Sequence, residues 1–128
     1  MLTPGHVERI LSRAPSLRIA VVGDLFLDRY LDLGGTLTEP SIETGLDAYQ
    51  VVGVRSLPGA AGTVINNLVA LGVGEVAPVS VIGWDGEGFE LEQALKALPG
   101  VTLDRLERTE GRRTPTYTKP MLSLPGLP

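Results

Sequence analysis

Apolar positions fall along this chain in short blocks that alternate in period. The run Arg18-Ile19-Ala20-Val21-Val22-Gly23 is nearly continuous in β-favouring residues, which predicts a strand buried on both faces of a parallel sheet. Ahead of it, Thr3 and Pro4 suit the cap and first turn of a short peripheral helix, whose Val7, Ile10 and Leu11 share a face before Pro15. From residue 60 to 71, Val64, Leu68 and Leu71 follow helical spacing, and Gly72 is placed to stop that helix. Residues 76–82 predict a second buried strand, ending at Gly83-Trp84-Asp85-Gly86. Over 87–98, Leu91, Leu95 and Leu98 again fall at helical spacing, with Pro99-Gly100 beyond. Residues 101–106 and 114–121 are two further strand candidates, and the tail 124–128 carries no packing pattern and is expected to be loose.

Residues 30–38 and 48–56 are more polar and β-leaning, with Gly34-Gly35 and the stretch 40–47 as turn material. They predict an exposed antiparallel flap inserted after the first strand. The alternation of strands and helices otherwise gives βαβ units and a parallel sheet, without internal repeat or low-complexity linker. The end of the first strand, at Gly23-Asp24, is a ligand edge by the general rule for such sheets.

Composition places the chain among ordinary globular domains: 128 residues, 43% hydrophobic and 20% charged, with mean hydropathy +0.17. A compact fold of this size buries about two-thirds of its unfolded surface. A formal charge of −4 argues against general nucleic-acid binding, which needs clustered Lys and Arg. Arg105, Arg108, Arg112, Arg113 and Lys119 form a local exception, but they alternate with Asp104, Glu107 and Glu110, the pattern of a solvated loop, with an anion-facing patch as the alternative. The absence of cysteine excludes disulfides, thiolate metal sites and a Cys nucleophile. Neither a signal-peptide pattern nor an apolar run of membrane length occurs, so the expected location is the cytoplasm.

Candidate chemistry centres on Pro58-Gly59-Ala60-Ala61-Gly62-Thr63-Val64-Ile65-Asn66-Asn67-Leu68. Small residues at a helix start let backbone approach a ligand, and the free N–H groups there can bond oxygens of a polyol or an anion. Together with Gly23-Asp24-Leu25-Phe26-Leu27-Asp28-Arg29-Tyr30, the turn Gly83-Trp84-Asp85-Gly86-Glu87-Gly88, and Arg113-Thr114-Pro115-Thr116-Tyr117-Thr118-Lys119, this loop resembles in order the N-terminal part of the PfkB or ribokinase-like carbohydrate kinases. The resemblance is greatest to their heptose-phosphate-kinase-like branch and covers about 18–122. Glu43, in the stretch 40–47, falls at the family's flap connection, where Asp47 stands in place of a frequent Pro. Ala60 replaces the second glycine of the family's pair, and Thr63 an expected Asn, whereas Asn67 matches another frequent one. The resemblance implies an α/β fold, a ribokinase-like parallel sheet with flanking helices and a small β flap, here truncated. Residues 1–128 are then the N-terminal, sugar-side portion of the domain. It also implies a sugar or sugar-phosphate site at Asp28, Gly59, Ala60, Thr63, Asn67 and Lys119.

Each of these has a plain structural alternative: Asp28 as a turn cap, Gly59 and Gly62 as packing glycines, Lys119 as a solvated side chain. Asn66 and Asn67 are adjacent on the helix, so at most one faces a ligand. Asp24 reads as structural, Asp85 as a turn residue rather than a metal ligand, Trp84 as core anchor or flap contact, and His6 has no assigned role.

Family members use a C-terminal Gly-Ala-Gly-Asp segment to transfer the γ-phosphoryl of ATP. No such segment occurs among these 128 residues. The resemblance thus implies a sugar kinase with ATP and Mg²⁺ as cofactors, whereas this chain holds no complete site for either, no catalytic residue, and is expected to be inactive alone. The alternatives are a non-catalytic sugar-binding module, a module dimerising through its flap strands, half of a split kinase paired with a separate catalytic chain, or a nonfunctional remnant. A Rossmann nucleotide binder is disfavoured, because no Gly-x-Gly-x-x-Gly or P-loop occurs.

Overall fold

The structure is a computed structural model, and residues 3–123 are described. The chain runs through α1 (Pro4–Leu11), a 3-10 turn at Ala14–Ser16, β1 (Arg18–Val22), β2 (Leu25–Gly34), β3 (Glu39–Pro40), β4 (Asp47–Ala48), β5 (Val51–Ala60), α2 (Ala61–Ala70), β6 (Glu75–Gly83), α3 (Gly86–Lys96), β7 (Leu106–Thr109) and β8 (Thr116–Ser123). These strands form two three-stranded sheets and a small hairpin. The first sheet, in the order β1-β6-β7, is wholly parallel. The second, β5-β2-β8, pairs β2 antiparallel to β5 and parallel to β8. β3 and β4 make the antiparallel hairpin at the flap tip. This is the expected mixed α/β architecture with parallel sheet, flanking helices and flap.

One apolar cluster joins the layers. Leu25 and Leu27 of β2, Ile65 of α2, Val76 and Ile82 of β6, and Leu91 and Leu95 of α3 are each at most 1% exposed. Burial of such side chains stabilises the fold by about 2 kcal/mol apiece. In α3 the predicted leucine stripe is the observed one, with Leu98 packed at its end. In α2 Leu68 packs against the core as expected, but the centre of the buried stripe is rotated away from Val64 and Leu71. Gly62 and Ile65 are buried, whereas Val64 and Leu71 are about half exposed. Thr63, Asn66 and Asn67 gather on one side of α2 and leave a wide apolar face, along which spacing alone admits either centre. Gly72 ends α2 as expected, with φ +80°. Helix α1 starts on the Thr3 cap and buries no residue.

The expectation that the first strand is buried on both faces is corrected. Ile19 and Val21 turn into the core, but Arg18, Ala20 and Val22 are exposed, Val22 at 78%. Their neighbours across the parallel register, Glu75, Ala77 and Val79, continue the same open face. It forms an open trough of about 510 Å³, lined by Arg18, Ala20, Glu75, Ala77, Val79, Thr102, Asp104 and Arg105. The strand candidate at 101–106 is also misplaced. Val101 makes only an isolated bridge to Val76, and the ladder to β6 starts at Leu106. The flap strands are longer than predicted, because β2 begins at Leu25 and β5 runs to Ala60. The tail 124–128 lies outside the described residues.

Candidate functional site

The side-chain period of two in a strand puts Phe26, Asp28, Tyr30 and Asp32 on one face of β2. The register adds Gly59, Leu57 and Arg55 from β5 opposite Phe26, Asp28 and Tyr30. From β8 it adds Tyr117 and Lys119 beside Asp28 and Tyr30. The Lys119 ammonium donates to the Asp28 carboxylate, and to the Tyr30 hydroxyl at 3.3 Å. It lies 4.8 Å from the centre of the Tyr30 ring, while Arg55 lies 5.0 Å from the same centre. Arg55 in turn donates to both oxygens of Asp32, at 3.1 and 2.9 Å. Phe26 and Tyr117 meet edge to face, 4.9 Å apart. The hydrogen bonds to Asp28 and then Tyr30 raise the Lys119 ammonium above its ordinary value, against the opposing pull of desolvation. The result is a partly exposed polar face with one carboxylate and one ammonium already in contact.

Gly59 and Ala60 close this face where β5 feeds α2. Gly59 is buried against the Phe26 ring and the Asp28 carboxylate. Ala60 stands at φ 52°, ψ −114°, a backbone region that suits glycine. The chain is held there, because Ala60 lies in register with Leu25 and the Ala61 N–H donates to the Asp24 carbonyl at 3.0 Å. Ala60, as N-cap, offers no side-chain acceptor to the start of α2. Thr63 and Asn67 stand one turn apart on α2, both exposed.

A second polar cluster lies behind the face. Asp85 caps α3, accepting from the Gly88 N–H at 2.7 Å. It also accepts from the Thr114 N–H and hydroxyl, each at 2.7 Å. Thr114 is 4% exposed, and its hydroxyl accepts from the Gly83 N–H at 2.9 Å. Burial on its own pushes the Asp85 carboxyl up, but bonds from Thr114 and Gly88, with the Arg113 charge, outweigh it and hold the group below its ordinary value. Asp85 is therefore more than the turn residue read from sequence.

Of the residues singled out in the sequence, Asp28, Gly59 and Lys119 come together. Ala60 adjoins them, and Thr63 and Asn67 make no side-chain hydrogen bond to this cluster among the described residues. Lys119, which read as a lone lysine, has Asp28 as its partner. Tyr30, Asp32, Arg55, Phe26 and Tyr117 escaped sequence reasoning. The alternation of Phe26, Asp28, Tyr30 and Asp32 was a usable signal for β2, but which of the expected strands lie beside it, and in what register, was not legible. Trp84 is not a core anchor; it is 64% exposed, with the Arg108 guanidinium 4.9 Å from its ring centre. Arg108 is also bound to Glu92, so the basic segment is not uniformly solvated. The open trough on β1 and β6 lies on the other sheet and has none of the Asp28 cluster in its lining.

Among the described residues no group of three His, Cys, Asp or Glu could hold a metal ion. Mg²⁺ in phosphoryl transfer is usually held by one or two carboxylates together with the phosphates of the nucleotide, and no chemical step is routed through it here. No helix among the described residues is long and apolar enough to cross a membrane.

No family model matches the chain. It is 41% identical over 114 residues to the bifunctional protein HldE of Citrifermentans bemidjiense, covering 89% of this chain and 23% of that protein. HldE of Geotalea uraniireducens is 40% identical over 108 residues, covering 81% of this chain and 21% of the relative. The chain thus spans between a fifth and a quarter of the length of the curated relatives it matches. Among solved structures, a carbohydrate kinase from Agrobacterium tumefaciens superposes with a TM-score of 0.58 at 24% identity, over 82% of this chain and 31% of that one. A nucleoside kinase from Methanocaldococcus jannaschii, an archaeal member of the ribokinase family, gives 0.53 at 24% identity, over 83% and 33%. Fructokinase from Xylella fastidiosa, solved with bound ATP, gives 0.52 at 23% identity, over 81% and 29%.

Proposed function

We propose that this chain, a homologue of the HldE proteins built on the ribokinase-like fold, is the sugar-side portion, residues 1–128, of an ATP-dependent carbohydrate kinase domain. The observation that carries the reading is the convergence of Asp28, Gly59 and Lys119 on one sheet face. A carboxylate accepts hydrogen bonds from the hydroxyls of a polyol, and an ammonium beside it serves a hydroxyl or phosphate oxygen. Ala60, and Thr63 and Asn67 on the exposed side of α2, would line the edge of the same sugar. Phosphoryl transfer itself needs a base and preorganised donors around the transferred group. Neither is supplied by these 128 residues, so the ATP and Mg²⁺ chemistry belongs to a larger assembly. We place the protein in the cytoplasm, where a cysteine-free sugar kinase of this kind would meet its substrates.

The test is calorimetric titration of the chain with D-fructose and with D-fructose 6-phosphate, alongside a coupled assay for ADP. Sugar binding without ADP formation is expected. Asp28→Asn keeps the size of the side chain but removes its charge and one acceptor, and should weaken binding about tenfold. Identical titrations for wild type and Asp28→Asn, or no heat with either sugar, would overturn the reading.

The flap favours a second reading, a module that dimerises with another copy of itself. Ile42 is fully exposed, Leu46 is 71% exposed, and Tyr49, Val51, Val52 and Val54 are about half exposed, beside the open edge of β5. An apolar edge strand of this kind invites pairing. Sedimentation velocity should then give a dimer that Ile42→Ser with Leu46→Ser returns to monomer. A wild-type monomer at high concentration would exclude it.

A further inference from the structure

We propose that Asp85 is a positioning residue for the substrate face: through Thr114, its carboxylate fixes where β8 begins and so sets the Lys119 ammonium against Asp28. The value of that contact for a sugar rests on the reading above; the tie itself does not.

Among the described residues the two three-stranded sheets share no ladder. β7 belongs to the first and β8 to the second, and residues 110–115 connect these two strands along the chain. That link needs an anchor if β8 is to meet β2 in one register. Capping α3 explains one bond of Asp85, from the Gly88 N–H to Oδ1. It does not explain Oδ2, which accepts the Thr114 N–H, nor the second bond to Oδ1, from the Thr114 hydroxyl. That hydroxyl also accepts from the Gly83 N–H, so the end of β6, the start of α3 and the approach to β8 are joined through two side chains. The next residue continues the seam, with the Pro115 carbonyl accepting from the Leu27 N–H at 2.9 Å. From Thr116 the pairing with β2 then proceeds residue by residue and places Lys119 beside Tyr30. A slip of one residue would turn Lys119 to the opposite face of the sheet.

Lys96 and Lys119 are the chain's only lysines, which allows a test without sugar. Lys96 pairs with Glu92 on α3, at 2.5 Å, and serves as the internal reference. The two ammonium groups are acetylated with acetic anhydride across a pH series, and their rates compared by mass spectrometry. Asp85→Ser keeps an oxygen for the Gly88 N–H, serine being a good cap, but cannot supply the bonds to Thr114. It should raise the Lys119-to-Lys96 rate ratio about tenfold, the effect of one pKa unit, and move the Lys119 midpoint to lower pH, with the helical circular dichroism unchanged. Thr114→Ser, which retains the hydroxyl, should keep the native ratio. If Asp85→Ser does not fold, Thr114→Val decides by the same ratio, since it keeps the carboxylate and the cap. A native ratio in the folded Asp85→Ser variant, or in Thr114→Val where that variant decides, would overturn the proposal. A raised ratio in a protein whose wild type binds neither sugar would support the tie and remove only the sugar reading.

Discussion

Gly59→Ala is expected to destabilise the chain by about 3 kcal/mol, the upper end of the usual cost of overpacking. A Cβ at this position would overlap two carbons of the Phe26 ring and stand 2.8 Å from an Asp28 oxygen. Neither neighbour is free to yield. Phe26 is held edge to face by Tyr117, and Asp28 is bound by Lys119. Gly59 itself is fixed by its ladder pairing with Phe26. The strain therefore falls on the β2 and β5 ladder or on the polar face, and both stability and sugar binding should decline together. Urea unfolding monitored by tryptophan fluorescence measures the first and the calorimetric titration the second. A variant with the native midpoint would mean that this strand junction is looser than the packing indicates.

Ala60→Gly, one residue on, should have the opposite sign. A non-glycine residue at φ 52°, ψ −114° costs on the order of 1–3 kcal/mol. Glycine removes that cost but loses about 0.5–1 kcal/mol through its freer unfolded state, leaving a net gain of about 1.5 kcal/mol and a rise in Tm of about 5 °C. No packing is sacrificed, because Ala60 is exposed. The strain cannot relax without losing the pairing to Leu25 or the bond from Ala61 to Asp24. A thermal scan showing an unchanged or lower Tm would contradict this account. The same substitution bares the backbone beside Asp28, so a changed preference between the two sugars in the titration would mark Ala60 as part of the site.

The sign change between neighbouring residues illustrates what sequence reading can and cannot reach. That small residues gather between β5 and α2 is visible in Gly59, Ala60 and Gly62. Which of them needs to lack a side chain is not, because the answer depends on Phe26 and Asp28 from another strand, and on a local φ that no spacing reveals. Asp28 and Lys119 were both legible as candidates through their motifs. Their contact was not, since 91 residues separate them along the chain and only the β2 and β8 register brings them together. Asp85 shows the same division: its place in the turn before a helix was legible, whereas its bonds to Thr114 cross 29 residues.

Local pattern was sufficient for the order of strands and helices, the leucine stripe of α3, the stop at Gly72 and the absence of thiol chemistry, because these follow from backbone preference and side-chain period within a few residues. The phase of α2, the open face of β1, the start of β7 and the pairing of Lys119 with Asp28 required the folded chain. Each is settled by which surface lies opposite, and an apolar residue or a lone charge has the same local preference whether a neighbour covers it or not. Burial and pairing are properties of two partners, and the second partner here comes from a distant part of the sequence.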